Sequence, residues 1–363
     1  MKPVNNTKRH LIFSLMLMVG VLCTTFSNAI AADEYFRLVD LRGQWKFEIG
    51  DDMNWAKADF DDSGWEEIFV PASWEDEGFH GYDGFAWYRK SFELNLTKLP
   101  DAIFLELGHV DDSDEVYLNG KLVGAKGSVP PHFITAYNIY RQYLLPFEYL
   151  NPKGENVIAI RVYDERLNGG IVSGKIGLYG EDYPFFEKIN LEGVWKLRIG
   201  DEEEWQNTNY DDSGWETVMV PLNWNYQGFR DYDGYAWYRK NVRIPAEFGK
   251  QKLVLLLGQI DDLDETYFNG KLIGRTGERL GRRKPDVRGN EWQIYRAYEI
   301  PNELINYDGN NLIAVRVYDD IYDGGIYNGP VAIVTEDAID RWDKIDDSQP
   351  FRSFWEVLDA IFK

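Results

Sequence analysis

Two short acidic clusters carry the most suggestive chemistry in this sequence: Asp111, Asp112, Asp114 and Glu115, then Asp261, Asp262, Asp264 and Glu265. Two carboxylates about 5–10 Å apart can in principle hydrolyse a glycosidic bond, and hard oxygen donors can hold calcium. Both chemistries meet an objection. On an extended segment neighbouring side chains point to opposite faces, so Asp111 and Asp112 are not expected to act together. The EF-hand spacing that would support calcium is absent. No catalytic residue, metal ligand or cofactor is therefore assigned, and a structural calcium stays without support. The other reading of these acids is structural: they pair with Arg161 and Arg316, or cap turns.

Aromatic residues form a second set of candidates. Trp74 and Trp224 lie in Gly-rich polar segments that read as loops, such as ASWEDEGFHGYDG. An exposed Trp or Tyr there could stack on the apolar face of a sugar ring while carboxylates accept its hydroxyls. Tyr82, Asp83, Tyr232 and Asp233 join the same candidate rim, since binding usually lives on loops carried by a rigid scaffold. The competing reading is that these indoles cover the end of a core. Trp87, Tyr88 and Arg89, with Trp237, Tyr238 and Arg239, open a β-run and read as core packing. Gly169-Gly170-Ile171 and Gly324-Gly325-Ile326 read as turns that need positive φ, or as places where backbone approaches a ligand.

Every one of these features occurs twice. Leu41–Gly124 aligns with Leu191–Gly274 at an offset of 150 without a gap, and 40 of the 84 aligned positions are identical. The offset then becomes 155, pairing Arg141 with Arg296 and Arg161 with Arg316. The five extra residues fall in a basic stretch, GERLGRRKPDVRGN, expected to be a longer surface loop. His80, His109 and His132 all lie in the first copy, so no histidine site is shared. A G-x-S-x-G elbow and a phosphate-binding glycine loop are also missing.

The elements that position these residues read as β-strands. Short alternating runs such as AIFLELG, EVYLNGKLVG and NVIAIRVYD are separated by turn residues. Asn119-Gly120 and Asn269-Gly270 sit between such runs and predict type I′ hairpins. Many short strands in about 145 residues predict an all-β sandwich or jelly roll for each copy. The expected organisation is a signal peptide at 1–31, jelly-roll domains at 36–183 and 188–337, and a tail at 338–363. In the tail, Phe351, Phe354, Trp355, Leu358, Ile361 and Phe362 recur at helical spacing and predict a short amphipathic helix. That helix docks on its own protein or offers a protein partner a surface.

The signal reading rests on a basic head, an apolar run from Leu11 to Cys23, and the small-x-small pattern Ala29-Ile30-Ala31. Cys23 raises a lipid anchor as an alternative, but Leu22 stands where a small residue is expected. Secretion or a periplasmic location follows, with a soluble mature chain, since no second long apolar run is present. Cys23 is the only cysteine, so disulfides are not expected. The chain carries a net charge of −22, and residues 1–31 hold no acid, so the remainder is more negative still. Such a surface repels a phosphate backbone, so nucleic acid is not expected as a partner.

The order WYRK, LELGHVDDSDEVYLNGKLVG, ENVIAIRVYD and GGI, repeated as WYRK, LLLGQIDDLDETYFNGKLIG, NNLIAVRVYD and GGI, resembles the sugar-binding (galactose-binding-like) jelly-roll domain of family 2 glycoside hydrolases. The resemblance implies a carbohydrate partner and places the positions of Asp111 and Asp261 beside the sugar subsite. It also implies that family 2 catalytic carboxylates sit on a separate (β/α)8 barrel, which needs about 250 residues. The expectation is thus a secreted, non-catalytic carbohydrate-binding protein. The alternatives are an accessory or truncated component of a β-galactosidase-type system, or a structural or protein-binding module.

Overall fold

The computed structural model describes residues 34–336 and 338, apart from 97, 183–187, 282, 283, 286 and 288. The expected signal peptide and C-terminal helix lie outside the described residues. Within them the chain is all-β, and no helix is long and apolar enough to cross a membrane.

Each half builds two antiparallel sheets, and among the described residues none of the strand pairings joins one half to the other. In the first half, Glu66–Val70, Gly43–Ile49, Gly84–Glu93, Glu155–Asp164, Ser113–Leu118 and Lys121–Lys126 form a six-stranded sheet in that order. Facing it, Glu34–Asp40, Gly177–Asp182, Ala102–Asp111 and Gly170–Ser173 form the second sheet, with Tyr140–Leu144 also pairing with Ala102–Asp111. The second half repeats the six-stranded order with Glu216–Val220, Gly193–Ile199, Gly234–Arg243, Asn310–Asp319, Leu263–Phe268 and Lys271–Thr276. Its other sheet runs Lys188–Asn190, Gly325–Thr335, Leu253–Asp261 and Tyr295–Ile300.

The core of each half lies between its two sheets, where inward residues from both meet. Trp45, Phe47, Tyr88 and Ile160 from one sheet pack with Leu105, Val110, Ile171 and Leu178 from the other. Burying each such side chain stabilises the fold by about 1.5–3 kcal/mol. Trp87, Tyr88 and Arg89 are all buried, as are Trp237, Tyr238 and Arg239, so strict alternation between core and solvent fails here. The reason is a second apolar layer on the outer face. Trp87 faces away from the main core and packs with Trp55, Trp65 and Tyr117. Arg89 beneath that layer donates to Asp62 at 2.7 Å and to the Lys57 carbonyl at 2.9 Å, which pins the Trp55 loop over the sheet.

The predicted hairpins form. Asn119 and Gly120 have φ of 49° and 81°, Asn269 and Gly270 have 49° and 77°, and Leu118 pairs directly with Lys121. Both central positions are left-handed, as a type I′ turn requires. The two halves meet through a small apolar patch, where Ala125 packs with Met219 and Leu222, and the Tyr226 hydroxyl donates to the Gly127 carbonyl.

A buried ion pair ties the two sheets at one end of each sandwich. Arg141 donates to Asp114 at 2.7 Å, and both side chains are out of water. Its remaining N–H groups reach the Asp112 carbonyl at 2.9 Å and the Ala136 and Ile139 carbonyls. Arg296 does the same for Asp264, at 3.0 Å, and for the Asp262 carbonyl, at 2.6 Å. Removing one partner leaves the other charge buried and alone. Arg141→Leu is therefore expected to lower the stability of the first half by about 3–5 kcal/mol, measured by urea unfolding, whereas Arg37→Leu, in an exposed pair with Asp40, is expected to cost under about 1 kcal/mol.

Candidate functional site

The acidic clusters mark the corner where the chain leaves one sheet and enters the other. Ala102–Asp111 belongs to the smaller sheet and Ser113–Leu118 to the larger. Asp164 ends the strand that pairs with Ser113–Leu118, since Tyr163 lies opposite Ser113. Carboxylate oxygens of Asp111, Asp112 and Asp164 consequently lie within 4.8 Å of one another, as do those of Asp261, Asp262 and Asp319. This corrects the expectation that Asp111 and Asp112 face apart. Opposed faces belong to a continuous strand, and here the chain turns a corner between them; the Asp111–Asp112 and Asp261–Asp262 peptides are both cis.

Asp112 is held from two sides. Its side chain accepts from the Thr135 hydroxyl and from the Glu165 amide at 3.0 Å, while Arg141 grips its carbonyl. Asp262 likewise accepts from the Asp320 amide at 3.0 Å. Asp164 and Asp319 are fully buried, yet Oδ2 of Asp164 and both oxygens of Asp319 receive no hydrogen bond of normal geometry. Desolvation is the main reason that Asp164 and Asp319 hold their protons up to about 7 and about 8, with neighbouring carboxylates adding to it. Burial and Asp112 raise Asp111 to about 6, and burial with Asp262 and Asp319 raises Asp261 to about 8.

The alternative of structural pairing applies to other members of the clusters. Arg161 binds Asp51 at 2.5 Å and Glu115 at 3.2 Å, and Arg316 binds Asp201 at 2.5 Å and Glu265 at 3.1 Å. Asp111 and Asp261 are not among these partners. Asp83 and Asp233 are exposed and lie close enough to Asp164 and Asp319 to oppose their ionisation.

The expected exposure of Trp74 and Trp224 is corrected. Both are 0% exposed and lie beneath the glycine turn of their half. A Cβ added to Gly169 would stand 2.0 Å from the Trp74 ring, and one added to Gly324 would stand 2.0 Å from Trp224. These glycines therefore admit an indole, and no ligand is needed to explain them; Gly170 and Gly325, at φ of 106°, supply the turn. The Trp74 Nε1 donates to Glu75 at 2.8 Å, whereas Trp224, beside Asn225, has no such acceptor. Tyr82 and Tyr232 are half-buried against these indoles and donate to the carbonyls of Phe85 and Tyr235 at 2.6 and 2.7 Å. Neither indole presents an open face to a stacking ligand.

Exposed aromatic rings do occur at this corner, on residues the sequence reading passed over. Tyr137 is 59% exposed and Trp292 is 40% exposed, and the two are equivalent at the 155-residue offset. Tyr137 follows Thr135, which binds Asp112, and its amide donates to the Thr135 hydroxyl at 3.3 Å. Trp292 follows Glu291, whose carbonyl shares Arg296 with Asp262, and its own carbonyl accepts from Tyr327 at 2.7 Å. Tyr322 is 80% exposed, three residues beyond Asp319, with φ of 75°; its equivalent Leu167 has φ of 76°. A large side chain held left-handed in water is strained without compensating burial. The Asn225 side chain anchors the Tyr322 carbonyl at 3.0 Å. Pairing of Tyr137 with Trp292 at the shifted offset was the available signal.

No model of a known protein family matches the sequence. Similar curated proteins are a putative beta-glucuronidase of Formosa agariphila, 28% identical over 136 residues covering 34% of this chain and 12% of that protein. Beta-galactosidase BoGH2A of Bacteroides ovatus is 28% identical over 153 residues, 39% of this chain and 17% of that protein. The chain thus spans less than a fifth of these relatives. Among solved structures, a beta-glucuronidase of Bacteroides uniformis aligns over 79% of this chain and 28% of its own, with 16% identity and a TM-score of 0.34. The chain is similar to part of family 2 beta-glucuronidases and beta-galactosidases.

The raised carboxyls set a pH dependence with a definite sign. Their stabilising contribution is complete below the ordinary carboxyl range near 4 and is lost as pH rises through about 6 to 8. In chelator-treated protein the thermal unfolding midpoint is expected to fall between pH 5.5 and 8.5, by less in Asp319→Asn. Equal slopes in the two proteins would count against the assignment.

Proposed function

We propose that this protein binds carbohydrate without hydrolysing it, at the acidic corner of one or both sandwiches, each taken as a jelly roll of the galactose-binding type. The observation that carries the reading is the pair of exposed rings, Tyr137 and Trp292, at equivalent places beside the carboxylate trios, with Tyr322 added in the second half. A ring open to water next to hydrogen-bond acceptors matches a sugar, which offers C–H faces and hydroxyls together. The partly exposed carboxylates Asp111 and Asp261, with Asp83 and Asp233, are the proposed hydroxyl acceptors. Asp164 and Asp319 are sealed from water, so they do not touch a sugar. An exported location, secreted or periplasmic, fits such a ligand.

A second reading is an accessory or truncated component of a β-galactosidase-type system. It is favoured by the relatives, which are glycosidases that this chain matches only in part. A structural or protein-binding module is the third.

Binding to a panel of soluble polysaccharides by affinity electrophoresis separates these readings. At least one glycan is expected to retard the protein, with Trp292→Ala and Tyr322→Ala each weakening binding about tenfold, the effect of truncating an aromatic anchor worth over 1 kcal/mol. Retardation unchanged in both variants would defeat the proposed surface, and release of reducing ends by the purified chain would defeat the absence of hydrolysis.

A further inference from the structure

We propose that Asp261, Asp262 and Asp319 hold a calcium-sized divalent cation, and that Asp111, Asp112 and Asp164 hold a second one in the first half. Two observations on separate properties support this. The first is spacing. Oxygens bound to one calcium lie 2.3–2.6 Å from it, so no two of them stand more than about 5 Å apart. The three carboxylates in each half meet that limit, at 4.8 Å or less.

The second is an unmet need. Asp319 has 0% of its surface in water, and neither of its oxygens accepts a hydrogen bond of normal geometry; Oδ2 of Asp164 shares this condition at the equivalent place. A buried polar group without a partner costs the fold, and such groups are rare unless a ligand completes them. Both point into the trio rather than toward a cation of the protein. The guanidiniums that grip the corner carbonyls, Arg296 and Arg141, are already matched by Asp264 and Asp114.

The donor set selects the metal class. Three carboxylates from two chain segments, with no imidazole or thiolate among them, suit a hard cation over zinc or copper. Calcium accepts irregular geometry and mixed carboxylate and carbonyl ligands, whereas magnesium demands a near-ideal octahedron. A cation there would tie the end of the strand Asn310–Asp319 to the corner after Leu253–Asp261 and so brace the loop that carries Tyr322.

The test uses the whole chain, stripped with chelator and titrated with calcium chloride by calorimetry, and read in parallel by thermal unfolding. Two equivalents are expected, with Kd on the order of 10⁻⁴–10⁻³ M, and a rise of about 2–4 °C in the unfolding midpoint. Asp319→Asn is expected to lose one equivalent, and Asp164→Asn the other. Asn mimics the protonated acid, so these variants without calcium should be no less stable than the parent. If Asp319→Asn does not fold, the partly exposed Asp261→Asn replaces it. Absence of heat and of any midpoint shift at about 10 mM calcium would overturn the proposal and leave two protonated acids. A single equivalent abolished by Asp319→Asn would uphold the second-half site and overturn the first. Because no glycan enters the experiment, its outcome is independent of the carbohydrate reading.

Discussion

Each sandwich is closed at one end by a guanidinium that water does not reach. Arg141 and Arg296 each bridge the two sheets, pairing with an aspartate on the larger sheet and gripping the carbonyl of the corner residue between them. Such a pair adds little net stability compared with apolar packing, because both charges lose their hydration. Its effect here is geometric. With four hydrogen bonds made by its N–H groups, the guanidinium fixes where the chain turns from one sheet to the other, and with that the positions of three carboxylates and of the loop bearing Tyr137 or Trp292.

The surrounding structure follows from this constraint. The corner residues Asp112 and Asp262 are anchored through both backbone and side chain, so the carboxylates beside them cannot spread to relieve their mutual repulsion. The strand ends bearing Asp164 and Asp319 are held in turn by the hydrogen-bond ladder of the larger sheet. Beneath them, Trp74 and Trp224 fill the space under the glycine turns. Charge is thus concentrated by a scaffold rigid enough to keep it concentrated, and the raised carboxyls are the electrostatic consequence.

The two halves share this frame but diverge at its surface. Glu75 serves both the Trp74 indole and the Gly169 amide, at 2.8 and 3.1 Å, while Asn225 turns instead to the backbone of the Tyr322 loop. Leu167 gives way to Tyr322, and Tyr137 to Trp292. The second half also carries Lys284, paired with Asp320 at 2.5 Å, from the inserted basic stretch. The buried network is common to the two copies, whereas the exposed rings differ between them.

Much of the architecture was legible in the residues. The repeat, the Asn-Gly hairpins, the β character and the burial of Trp87, Tyr88 and Arg89 follow from local patterns, because hydrogen-bond ladders and turn angles depend on neighbours in sequence. The carboxylate site was legible only as a composition. Which acids meet depends on a corner between sheets and on strand partners about fifty residues apart, Asp112 with Asp164 and Asp262 with Asp319, and alternation along one strand gave the wrong answer for Asp111 and Asp112. Exposure was also beyond local reading: Trp74 and Tyr322 both sit in polar, glycine-rich segments, yet one is sealed beneath a turn and the other stands in solvent. Sequence alone determined that acids and aromatics gather at paired positions; the packing of two sheets decided which of them face each other and which face water.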